Sequence, residues 1–132
     1  MKTILKFINS EMKKAGIDYH FQVNRSRKTA YPYFVGELIP VTSLEEDGIK
    51  EFALVLEGFT RQTVSSKGTL LELIEEGEKI EEHFPQVGGL TALLGNQAIA
   101  VFFNSVQPVD SGEEQLKKIQ VNLDVKSWKG RC

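Results

Sequence analysis

Cysteine is nearly missing from this chain. The single one, Cys132, is the last of 132 residues, so no intramolecular disulfide and no cysteine-based metal cluster can form. A cytoplasmic folding environment is the expectation that follows, and the terminal thiol reads as an uncommitted chain end. Long apolar runs are missing too: none approaches the roughly 20 residues that carry a helix across a bilayer. The opening MKTILKFINSEMKKAG sets Lys2 before apolar residues, but Lys6, Glu11, Lys13 and Lys14 interrupt them. It reads as a helix of the mature protein rather than a signal peptide. Nor is there an excess of one charge. Sixteen Lys and Arg against 18 Asp and Glu leave −2, with no general signature for nucleic acid or an anionic membrane.

Catalytic and metal-binding patterns are equally scarce. His20 and His83 lie far apart with no HxH or HExxH company. Glu82 and His83 are neighbours on a helix, pointing about 100° apart, so they do not converge on a metal. A solvated acidic face accounts for them. Gly88-Gly89 has no GxGxxG or GxxxxGK[ST] context, and Ser65-Ser66 no GxSxG frame. No carboxylate pair is singled out for acid–base work. The residues point to no enzyme, cofactor or metal.

What the chain does have is clear periodicity, at an ordinary globular balance of 41% hydrophobic and 26% charged residues. Residues 69–84, TLLELIEEGEKIEEHF, place Leu70, Leu73, Ile74, Ile80 and Phe84 on one helical face. Thr69 with Glu72 forms a capping box, and Pro85 ends the helix. Glu75, Glu78 and Glu82 stand with Glu76 and Glu81 on the remaining surface. Residues 3–15 form a shorter helix burying Ile4, Leu5, Ile8, Met12 and Ala15, with Gly16 as a left-handed cap.

Strands fill the rest. Tyr19, Phe21 and Val23 alternate with polar residues, followed by a basic loop of Arg25, Arg27 and Lys28. In 31–41, Tyr31, Tyr33 and Val35 share one face, and Pro32 sets the strand at an edge or at its own first residue. The simplest reading of the Arg25–Lys28 loop puts those aromatics in the core; contacts to phosphates and bases are the sharper alternative. Asp47-Gly48 marks a turn. Residues 49–59 carry Phe52, Leu54 and Leu56 on one face, and 60–68 read as a polar linker. Residues 90–94 read as a short helical turn. The strand 97–106 is apolar on both sides, which calls for cover on both faces, by helices and by a neighbouring subunit or a second layer of the same chain. Residues 107–114, with Val109, Asp110 and Glu113, read as a hairpin loop whose polar tip suits partner contact. In the last strand Ile119, Val121, Leu123 and Val125 alternate with polar residues. The expected fold is a single α+β domain, a mainly antiparallel sheet of four or five strands with helices packed on one face.

The order of elements, with YPYFVGEL at 31–38, FALVLEGFTR at 52–61 and IQVNLDVKSWKG at 119–130, resembles the small tail-terminator and tail-completion proteins of tailed bacteriophages and prophages. The resemblance covers nearly the whole chain, through short and mostly structural motifs. It implies a homo-oligomeric ring, commonly a hexamer, that caps the tail tube and joins it to the head connector. It implies no catalytic residues, and a location in the bacterial cytoplasm during assembly and then in the virion tail. Family members often carry more basic residues facing the ring lumen. Here Arg25, Arg27, Lys28, Lys117 and Lys118 are those available for passing contact with DNA. The candidate contact residues are the basic loop (Arg25, Arg27, Lys28), the acidic helix face (Glu75, Glu78, Glu82) and the hairpin tip (Val109, Asp110, Glu113). The alternative reading is a monomeric α+β protein-binding or regulatory module of bacterial origin. Ring formation versus a persistent monomer separates the two.

Overall fold

A computed structural model describes residues 2–21, 32–42, 49–61, 68–109, 112 and 116–129. The elements run α1 (Lys2–Lys14), β1 (Tyr19–Phe21), β2 (Tyr33–Thr42), β3 (Ile49–Arg61), α2 (Leu70–His83), β4 (Leu90–Leu94), β5 (Gln97–Val109) and β6 (Leu116–Lys129). The fold is α+β. Its six strands form one curled sheet, a half-barrel, in the order β1-β2-β3-β6-β5-β4. All neighbours are antiparallel except β1 and β2, which are parallel.

Six strands replace the expected four or five because 90–94 is a strand and not a helical turn. Leu90–Leu94 pairs with Gln97–Val101 across Gly95-Asn96, Leu94 opposite Gln97. A two-residue Gly-Asn connection between apolar runs is a hairpin signal, and Gly95 takes the positive φ of +66° that such a turn requires.

One core lies between the sheet and the helices. α1 contributes Ile4, Phe7, Ile8 and Met12, and α2 contributes Leu73 and Ile80. The sheet answers with Phe34 and Leu38 from β2, Phe52, Leu54 and Leu56 from β3, Ile99, Val101 and Phe103 from β5, and Ile119, Val121, Leu123 and Val125 from β6. Alternation along each strand makes this one face. The Gly16 cap and the hydroxyl half of the Thr69–Glu72 capping box are both in place. Gly16 has φ +79°, and the Glu72 N–H donates to the Thr69 hydroxyl at 3.2 Å. The Glu72 carboxylate also turns to β3, accepting from the Thr60 hydroxyl at 2.6 Å. Thr60 is buried, so β3 runs on through Thr60 and Arg61 where a linker was expected.

The sides of β2 are the second correction. Phe34, Gly36 and Leu38 face the core, and Tyr33 lies half-buried on the outer face, stacked 5.3 Å from Phe59. Both faces of this strand carry apolar residues, so its sequence fixed the parity and not the side. Tyr31 lies outside the described residues. β5 changes sides partway: a register shift between Phe103 and Ser105 makes Asn104 a bulge residue, held by Asp124 at 3.0 Å. Beyond it β5 continues as strand through Val109, so Gln107, Pro108 and Val109 belong to the ladder rather than to a loop.

Candidate functional site

The candidate contact residues fall into two groups. Arg25, Arg27, Lys28, Asp110 and Glu113 lie outside the described residues. Glu75, Glu78 and Glu82 point to solvent from α2, as their helical spacing implies. Val109 is half-buried and opposite Lys118 at the end of the β5–β6 ladder. Lys118 is itself engaged, 3.4 Å from Glu57 and with its amine 5.5 Å from the Phe59 ring centre. Of the described candidates, Glu75, Glu78 and Glu82 thus share one exposed face of α2 and Val109 lies on β5.

His83 belongs to a different arrangement from the solvated face expected of it. It is turned inward, its Nε2 2.9 Å from Oε1 of Glu11 on α1. Lys14 lies 2.9 Å from the other oxygen of Glu11. Residues 72 positions apart meet here, so no local spacing could announce the pair. Glu11 is 7% exposed. Burial pushes its carboxyl up, and hydrogen bonds and charge from Lys14 and His83 outweigh that, leaving it below its ordinary 4.5. A carboxyl whose folded value lies below the unfolded one stabilises the fold fully above the unfolded value and loses that contribution as pH falls through the folded value. The urea midpoint should therefore fall as the pH is lowered below 4.5, and Glu11→Gln should remove a measurable part of that fall. Equal drops in both proteins would show that the triad does not couple the helices.

Among the described residues no group of three or more His, Cys, Asp or Glu is placed to hold a metal ion. No described helix is long and apolar enough to cross a membrane. The two-sided β5 finds part of its outer cover within the chain: Gly89 lies against the Phe102 ring, whose centre is 5.9 Å from the Lys126 amine. After α2 the backbone also stands in for β4, Phe84 O accepting from Phe103 N–H at 3.0 Å.

The surface feature that sequence periodicity missed lies at the two ends of the sheet. At one end Ile39 and Val41 of β2 are 42% and 61% exposed; at the other Leu93 and Leu94 of β4 are 74% and 36% exposed, with Val87 nearby in sequence at 91%. Scattered exposed apolar residues need no explanation, but apolar groups gathered at opposite edges of one sheet do. Along β4, a groove of about 600 Å³ separates the strand from α1, lined by Phe7, Leu90, Ala92 and Leu94 with Lys6 and Lys14 at its sides. β1 pairs with β2 at Phe34, Val35 and Gly36; beyond them the half of β2 that bears Ile39 and Val41 pairs with β3 on one edge and with no described strand on the other.

No family model and no curated protein matches this chain. Fifteen solved chains match it in structure, so the fold recurs. One of them, a protein whose name states no function, is similar at a TM-score of 0.60 over 94% of this chain and 89% of its own, with 12% identity. At that identity the likeness establishes the fold alone.

Proposed function

We propose that this chain is a structural protein that works by self-assembly, a ring-forming tail terminator or completion protein of a tailed phage or prophage. In that role it caps the tail tube and docks on the head connector. The observation that carries the reading is the pair of apolar patches at opposite ends of the sheet, Ile39 and Val41 against Leu93 and Leu94. Two different patches on opposite sides of a protomer suit a head-to-tail contact, the kind that closes rings. An isologous dimer would use one self-complementary patch instead. The resemblance of 31–38, 52–61 and 119–130 to tail terminators supplies the tail-tube and connector partners, and the hexamer as the ring size to look for.

Light scattering across a concentration series tests this reading. A discrete hexamer-sized species, alone or on addition of tail tubes, is the expected result. A chain that stays monomeric in both conditions is instead a binding module that acts singly.

A further inference from the structure

We draw no further inference here: the strongest candidate, the apolar groove between α1 and β4 lined by Phe7, Leu90, Ala92 and Leu94, carries none, since nothing in the structure shows what covers it.

Discussion

Leu93→Lys and Val41→Lys should each abolish the proposed ring and, mixed in equal amounts, should restore only a dimer. A head-to-tail contact has two different halves. The Leu93→Lys protomer keeps a sound β2 patch and loses its β4 patch; Val41→Lys does the reverse. Alone, neither variant can join two of its own kind, since every such contact includes one charged half. Together, one sound contact exists per pair, and the dimer it makes ends in two spoiled halves. Burying an unpaired ammonium in an apolar contact costs several kcal/mol, against a per-contact affinity that falls tenfold for each ~1.4 kcal/mol.

Both side chains are exposed in the protomer, 74% for Leu93 and 61% for Val41, so folding should change by no more than about 0.5 kcal/mol. Urea midpoints equal to wild type would show that assembly and not folding has been lost. Native mass spectrometry of the two variants and their mixture reads the result directly. If both variants keep the ring, the patches are not the contact. If neither variant alone associates and the mixture shows no dimer, the two patches do not meet each other.

How much of this was legible in the sequence depends on distance along the chain. Both helices, the Thr69 cap, the Gly16 cap and the core faces of β3 and β6 follow from spacing of three, four or two residues, and each appears in the structure near its expected bounds. Features set by pairing were not legible. Leu90–Leu94 has only five residues, too few to display a period; its one signal in the sequence is the Gly95-Asn96 turn that pairs it with Gln97–Val101. The bulge at Asn104 flips the rest of β5 without any change in composition. The Glu11–His83 pair joins two helices that the sequence keeps far apart. The patches at Ile39 and Leu93 are apolar residues in apolar stretches; only the order of strands in the sheet shows that no described strand lies over them. Arg25, Arg27 and Lys28 of the basic loop, and Asp110 and Glu113 of the hairpin tip, lie outside the described residues.

The second large effect concerns Gly58. It sits in β3 directly opposite Phe34 of β2, and both face the core. A Cβ at Gly58 would fall under 3.0 Å from three atoms of the Phe34 ring. The ring therefore lies flat across the space that a side chain would fill, and glycine is required by that close approach and not by its backbone angles. Phe34 is 1% exposed, packed on all sides, and cannot yield without moving its neighbours. Gly58→Ala should thus cost about 1–3 kcal/mol by overpacking, although alanine is ordinarily the better strand residue. Phe34→Ala should cost about 3–5 kcal/mol through the cavity it opens. The double variant tells overpacking from a general weakness of β3. With the ring gone the new methyl enters empty space, so the two losses should fall short of their sum by about 1 kcal/mol or more. Urea midpoints at constant slope measure all three variants. Strict additivity would mean that Phe34 does not hold position 58 as glycine.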